Sequence, residues 1–309
     1  TAVIDGKYLF RAFSASGIND QFKVAATGIT RYGLGKYSLD SALFPVPPIQ
    51  DQRAIAAFLD RETQRIDTLI ANKQRQIELL QEKRAALISY VVTKGLDPNA
   101  KMKDSGVEWL GDIPGHWEVK RLKRCVNIIN ERVNGRACDA EYIGLEHVES
   151  WTGRRLFANE VVASDGQCNL FQPGDVLFGK LRPYLAKVLR ITWLGSCTGE
   201  LLVLRPLHVV QDYMFYYMIN RGFIDTVDSS TFGAKMPRAD WEFIGSLPML
   251  LPPWEEQCTI AAFLDRETER IDVLISKVQQ SIETLREYRT SLISAAVTGK
   301  IDVRQEAPI

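Results

Sequence analysis

IAAFLDRETQRIDTLI occupies Ile55 to Ile70, and IAAFLDRETERIDVLI occupies Ile260 to Ile275. Only Gln64 against Glu269 and Thr68 against Val273 separate them. At the same offset, PPIQDQRAIAAFLDRETQRID from Pro47 matches PPWEEQCTIAAFLDRETERID from Pro252 without a gap, and LISYVVTKGLD matches LISAAVTGKID. Of the 51 positions from Pro47 to Asp97, 29 are identical to those from Pro252 to Asp302, so the segment is an internal duplication. Upstream the identity fades while the register holds: Tyr8 stands opposite Tyr213, Phe10 opposite Phe215 and Gly28 opposite Gly233. Residues 1–97 read as a copy of 206–302, and residues 104–205 have no counterpart in a first copy.

The duplicated segment has a helical period. Ile66, Ile70, Ile77, Leu80, Leu87 and Val91 step by threes and fours with Lys73 and Arg84 between them. Ile271, Ile275, Val278, Ile282, Leu285 and Leu292 repeat the steps with Arg289 and Ala296. A mean spacing of 3.5 describes a helix whose apolar seam needs a partner helix, and the chain holds two. From about Gln52 to about Val92 each helix runs roughly 60 Å at 1.5 Å per residue. The pairs Pro47-Pro48 and Pro252-Pro253 mark the entries, where a missing N–H costs nothing, and Gly95 and Gly299 mark the stops. From periodicity alone such a seam serves dimerisation, and Asp60, Arg61, Glu62, Arg65 and Asp67 form a solvated face.

Composition sets the outer bounds. A chain of 309 residues, 46% hydrophobic and 25% charged, is long enough for two or more packed bodies. No apolar run approaches the ~20 residues that span a bilayer, and TAVIDGKYLF lacks a basic flank before an apolar core, so the default expectation is a cytoplasmic protein. Cys125, Cys138, Cys168, Cys197 and Cys258 are odd in number and contain no C-x-x-C pair, which points away from a disulfide framework or a zinc site. The first residue is Thr rather than Met, as in a chain processed or lacking its natural start.

Lys103 to Leu251 is different in texture, rich in aromatics, Gly and short β-type runs such as CVNIIN, DVLFGKLR and ELLVLRP, with a helical patch in QDYMFYYMINRGFID from Gln211. It reads as one mixed α and β domain joined to the first helix by the polar stretch KGLDPNAKMKDSG. The expected order is 1–46, the closing part of a similar domain; 47–97, a helical region; 98–108, a linker; 109–251, a complete domain; 252–302, the second helical region; and 303–309, a tail.

DSGVEWLGDIPGHWEVKRLKRC from Asp104, EYIGLEHVES from Glu141, GDVLFGKLRPYLAKV from Gly174, LPP followed by EEQ, AFLDRET and the closing LISAAVTGKID together resemble the specificity subunit of Type I restriction-modification systems. The resemblance covers essentially the whole chain. It implies a mixed α+β fold in which globular target recognition domains, built of β-sheet and helices, are joined by two long helices forming an antiparallel coiled coil. The departure is at the front, where about a hundred residues of the first recognition domain are absent, placing independent DNA reading by that domain in question.

The implied role is a non-catalytic, DNA-binding part of an adenine methylation complex. It reads a bipartite target in double-stranded DNA and positions two DNA adenine methyltransferase subunits, with the helices as spacer between half-sites. ATP-dependent restriction subunits complete the restriction system, and a second copy of the chain joins it if the shortened front is natural. No cofactor belongs to this chain; S-adenosylmethionine, ATP and Mg are expected on the partners. Two like helices paired head to tail give approximate two-fold symmetry, so two identical partners meet equivalent surfaces.

The residues themselves speak softly of nucleic acid. Lys plus Arg equals Asp plus Glu at 38 each, so attraction to phosphate must come from local arrangement. FGKLRPYLAK offers Lys180, Arg182, Tyr184 and Lys187 around Gly179 and Pro183, while a structural reading pairs Arg182 internally. STFGAKMPRADW offers Lys235 and Arg238, and its first-copy counterpart ATGITRYGLGKYS carries Thr30, Arg31, Tyr32 and Lys36. Matched loops with different residues suit two domains that read different half-sites, and each of these residues equally suits a solvated loop.

Other activities fit less well. Amino-methyltransferases place Asp or Asn before Pro-Pro-aromatic, whereas here Leu251 and Val46 precede the proline pairs. Asp112, Glu118 and Lys120 are a short match to a metal-dependent nuclease. GITRYGLGKYS has Thr30 where a phosphate-binding loop needs its first glycine. His116, His147 and His208 lie apart, with no triad partners evident. A coiled-coil protein-interaction scaffold without DNA specificity remains the rival reading.

Overall fold

The computed structural model describes residues 3–26, 33–36, 40–134, 141–157, 166–233 and 235–303. In chain order, α1 (Gly6–Ser14) and α2 (Ser16–Ala25) precede the long helix α3 (Ile49–Lys94). The strands β1 (Met102–Asp104), β2 (Asp112–Pro114), β3 (Glu118–Arg121), β4 (Val126–Ile129), β5 (Arg132–Asn134) and β6 (Glu141–Ile143) follow. Next come β7 (Gln167–Phe171), β8 (Val176–Gly179), β9 (Val188–Arg190), β10 (Gly195–Thr198) and β11 (Leu201–Pro206). The chain closes with α4 (Gln211–Ile219), α5 (Arg221–Ser229), α6 (Trp241–Ser246), β12 (Pro248–Leu251) and the long helix α7 (Trp254–Val297). It divides into two compact units, Thr1–Leu80 with Asp272–Ile309, and Gln81–Ile271.

Both long helices begin just after their proline pairs and end where glycines take the left-handed conformation, Gly95 at φ 75° and Gly299 at φ 71°. In the first unit they run antiparallel. Ile55 and Leu59, early in α3, share a core with Ile293 and Val297, late in α7, and Ile77 packs with Val278 and Ile282. Asp67 accepts from Arg289 at 2.8 Å across the pair. Of the seam residues, Ile66, Ile77, Val91, Ile271, Val278 and Ile282 are buried, and Ile70, Leu80, Leu87, Ile275, Leu285 and Leu292 half-buried.

The second unit holds two four-stranded sheets, ordered β4-β11-β8-β9 and β5-β7-β10-β6, and two two-stranded pairs, β1-β2 and β12-β3. The runs CVNIIN, DVLFGKLR and ELLVLRP all contribute to the first of these sheets. It is covered on both faces. Val176, Phe178, Leu202 and Leu204 point to the core formed with α4, α5 and the ends of the long helices. Leu177, Leu201 and Val203 point to the core shared with Ile143, Phe171 and Cys197 of the other sheet. Double coverage is why these strands are uninterrupted apolar runs rather than alternating ones.

Two stretches gain detail. The polar stretch after α3 carries regular structure, because Met102–Asp104 pairs antiparallel with Asp112–Pro114 and Gly95 and Leu96 pack inward. The helical patch from Gln211 is two helices. Asn220 sits extended between α4 and α5 and its side chain accepts from the Phe223 N–H, an N-cap that starts a second helix.

The duplication is visible atom by atom. The buried Gln52 accepts from the Asp5 N–H at 2.8 Å and donates to the Pro47 carbonyl at 2.8 Å. Gln257 does the same with the Val210 N–H at 2.8 Å and the Pro252 carbonyl at 2.9 Å. Tyr8 donates to the Pro45 carbonyl and Tyr213 to the Leu250 carbonyl, equivalent positions again. The copies part at Asp60 and Asp265. Asp60 is held by Arg11 and Lys7 from α1, which keep its carboxyl below the usual range. Asp265 accepts from Tyr216 and from Arg190 of β9.

Candidate nucleic-acid interface

The turn after β8 is built to hold one shape. Pro183 opens a short 3-10 turn, Pro183–Leu185, and is itself buried. Arg182 before it and Ala186 after it both adopt left-handed backbone, at φ 51° and 46°. Non-glycine residues keep that conformation only when their surroundings enforce it. Here Arg182 donates its N–H to the Pro237 carbonyl at 2.8 Å, and Ala186 donates to Pro183 at 2.8 Å.

That first bond joins two loops that lie far apart in sequence. Ala239 donates to the Lys180 carbonyl at 3.0 Å and Lys180 to the Glu200 carbonyl at 3.0 Å, while Phe232 and Arg238 exchange backbone hydrogen bonds. The 180–186 segment is thereby zipped to Pro237, Arg238 and Ala239, which Phe232 joins in turn, with Glu200 alongside. Gly233, at φ 95°, permits the second loop's reversal; a Cβ there would sit 3.2 Å from the Met236 carbonyl oxygen.

The structure therefore brings Lys180, Arg182, Lys235 and Arg238 onto one pair of loops, with Tyr184 on the intervening turn. Arg182 and Lys235 are exposed, and Arg182 makes no ion pair among the described residues. Arg238 is the internally paired arginine, donating to Glu200 at 2.7 Å. Phe232 (67% exposed), Met236 (58%) and Tyr184 (45%) add large apolar surface to the same loops. Cations interleaved with exposed aromatics can meet phosphate with the one and bases or sugars with the other. Sequence reasoning missed Phe232, Met236 and Glu200; an apolar residue on each side of Gly233 in a polar loop was the available signal for the first two.

Lys187, from the same stretch as Arg182, is held differently. Its ammonium donates to the Leu145 and Val148 carbonyls, each at 2.7 Å, and burial lowers its pKa from the ordinary lysine value. With two of its three ammonium donors held by backbone carbonyls inside the domain, Lys187 is turned inward rather than presented to a duplex. Of the first-copy candidates, Lys36 is exposed, and Thr30, Arg31 and Tyr32 lie outside the described residues.

The competing chemistries find little geometry. Glu118 pairs with Lys120 at 2.7 Å on the surface of β3, whereas Asp112 lies on β2 in a separate two-stranded pair. Among the described residues no group of three or more His, Cys, Asp or Glu could hold a metal ion. His116 bonds Glu256 at 2.7 Å, and His147 accepts from the Gly144 N–H at 2.9 Å, a structural use of the ring. Among the described residues no helix is long and apolar enough to cross a membrane.

No protein-family model matches the chain. It is similar to the specificity subunit of the Type I restriction enzyme EcoDI of Escherichia coli, with 19% identity over 281 residues that cover 85% of this chain and 63% of that protein. It is similar also to the MjaVIII specificity subunit of Methanocaldococcus jannaschii, with 23% identity over 319 residues, 98% of this chain and 72% of that protein. The chain thus spans under two thirds of the first relative's length and somewhat more of the second's. Among solved structures, one described as the structural basis of complex assembly and conformational transition of the type I R-M system matches with a TM-score of 0.71 at 17% identity, covering 96% of this chain and 72% of that one. The HsdS subunit from Thermoanaerobacter tengcongensis matches with a TM-score of 0.53 at 16% identity, covering 96% and 70%. The chain has the mixed helix-and-sheet fold of these structures, and its sequence relatives are Type I restriction enzyme specificity subunits.

Proposed function

We propose that this chain is a non-catalytic DNA-recognition subunit of a Type I restriction-modification complex, with residues 109–251 as a complete recognition domain and residues 1–46 as the closing part of another. The observation that carries the reading is the hydrogen-bonded joining of the 180–186 loop to Pro237, Arg238 and Ala239, beside which Arg182 and Lys235 are exposed with Tyr184, Phe232 and Met236. A chain with no net charge needs such a local concentration of cations to hold a duplex.

Two methyltransferase subunits are the further partners in this reading. Support comes from surface residues that the duplication leaves identical where core packing does not require it. Arg61 stacks on Phe58 and pairs with Glu62, beside Arg65; Arg266 stacks on Phe263 and pairs with Glu267, beside Arg270. Equal faces suit equal partners. S-adenosylmethionine, ATP and Mg belong to the methyltransferase and restriction subunits, and the target is bipartite.

The test is adenine-methylation mapping in a host that carries the chain with its methyltransferase partner. Methylated adenines are expected at a single two-part motif with a constant gap. Methylation that is unchanged when the chain is deleted would overturn the reading.

A further inference from the structure

The heptad step places Arg84 where an apolar seam residue is expected, and its guanidinium is buried. Removing a guanidinium from water is costly unless its donors are used. Arg84 Nη1 donates to the Trp151 carbonyl at 2.8 Å and Nη2 to the Thr152 carbonyl at 3.3 Å. The long helix α3 thus grips a turn some seventy residues further along the chain.

That turn has little freedom of its own. Trp151 is left-handed at φ 65°, and Gly153 follows at φ 71°, pressed so close to α4 that a Cβ would fall 2.2 Å from the Phe215 ring. Thr152 donates to Glu149 at 2.7 Å and accepts from the Arg154 N–H at 3.1 Å, closing the turn on itself. Arg221 lies over the Trp151 ring at 5.7 Å, and its own N–H donates to Ser89 of α3 at 3.3 Å. On its far side, the Trp151 N–H donates to the Ala186 carbonyl at 3.2 Å. Ala186 is the left-handed residue that ends the turn bearing Arg182 and Tyr184. A continuous path of hydrogen bonds therefore runs from Arg84 through Trp151 to the exposed loop.

We infer that Arg84 is a positioning residue for sequence reading: by fixing the Trp151–Thr152 turn to α3, it sets the pose of the Arg182–Ala186 loop. This rests on the loop being the reading surface. A guanidinium suits the task because its rigid planar fork fixes the directions of its donors to two adjacent carbonyls, whereas an ammonium on a flexible stem is a point charge that fixes no plane. Arg289, the counterpart of Arg84 in the second helix, instead pairs with Asp67 near the surface and serves as the control.

The experiment uses the full chain with its methyltransferase partner and compares Arg84→Lys, Arg84→Met and Arg289→Met with the unsubstituted chain. Affinity for a matched duplex and for a scrambled one is measured, together with the melting temperature and the fluorine spectrum of chain labelled with fluorotyrosine, in which the Tyr184 signal is assigned by its loss in Tyr184→Phe. Both Arg84 variants are expected to lower the matched-to-scrambled affinity ratio by about tenfold, comparable to one mismatched base pair. Scrambled-duplex affinity stays within about twofold, since backbone contacts are set by charge. The Tyr184 signal is expected to shift or broaden in both, and in neither respect should Arg289→Met differ from the unsubstituted chain. Arg84→Lys keeps the charge and guards against a variant that simply fails to fold. Unchanged ratios and an unmoved Tyr184 signal in both Arg84 variants would overturn the inference, as would matched and scrambled affinities falling together with the melting temperature. If the unsubstituted complex shows no duplex preference, the reading of the loop falls, and the Tyr184 signal still decides whether Arg84 controls its pose.

Discussion

Asp175 is a carboxylate with no exposed side chain, and it is satisfied from three sides: Arg205 donates at 2.8 and 3.0 Å and the Gln172 N–H at 2.9 Å. Removing one partner of such a pair strands the other charge. Arg205→Met should lower stability by about 3 kcal/mol in urea denaturation; a loss below about 1 kcal/mol would show that water reaches Asp175. Cys197 makes a separate prediction. Burial, with Cys168 and Asp175 nearby, pushes its thiol from 9.0 up to about 12. Below pH 9 both the folded and unfolded thiols are protonated. Between 9 and 12 only the unfolded one ionises, so stability falls as pH rises through that window. Denaturation across pH 8 to 11 should show this decline, less steep in Cys197→Ala, and an equally steep decline in the variant would assign it to other groups such as the buried Tyr213 and Tyr217, whose pKa values are also raised. At this scale the sequence was only partly legible. Lys187 and Arg182 share one stretch and look alike as candidates, yet one is folded inward onto two carbonyls and the other left exposed. That outcome depends on Leu145, Val148 and Pro237, distant residues whose proximity no local pattern reports.

The long helices were readable because each step of their period is tied to burial against one partner. Ile77 is packed with Val278 and Ile282, whereas its near neighbour Leu79 is half exposed. Ile77→Ala should cost about 2 to 4 kcal/mol by leaving a cavity in the seam, and Leu79→Ala, on the outer face, within about 0.5 kcal/mol of zero. Comparable losses from the two would mean that the seam is not where the period places it. The strands of the β4-β11-β8-β9 sheet were legible as buried runs for the same reason, since both faces are covered. Their order was not, because the partners of β11 are β4 and β8, and nothing in ELLVLRP says which strand lies beside it. Within 98–108 the strand β1 has no signal of its own, since it is polar and exposed and its strand character comes from pairing with β2. Asn220 marks the limit for helices: an N-cap inside an apolar run divides it without interrupting the hydrophobic pattern.

For the whole molecule, the duplication was the most legible feature, and the structure repeats it at the level of individual hydrogen bonds in Gln52 and Gln257. Charge was the least informative, since 38 cations against 38 anions is compatible with a scaffold as well as with a DNA reader. What favours reading is arrangement, the exposed cations and aromatics of two zipped loops. The most direct test is selection from a pool of random duplexes by the chain bound to its methyltransferase partner, followed by sequencing of what is retained at moderate and at high salt. The account predicts enrichment of one two-part motif, weaker retention at high salt, and a changed preference in only one part when Arg182 and Arg238 are replaced by alanine. Retention without an enriched motif, or a motif indifferent to both arginines, would contradict it.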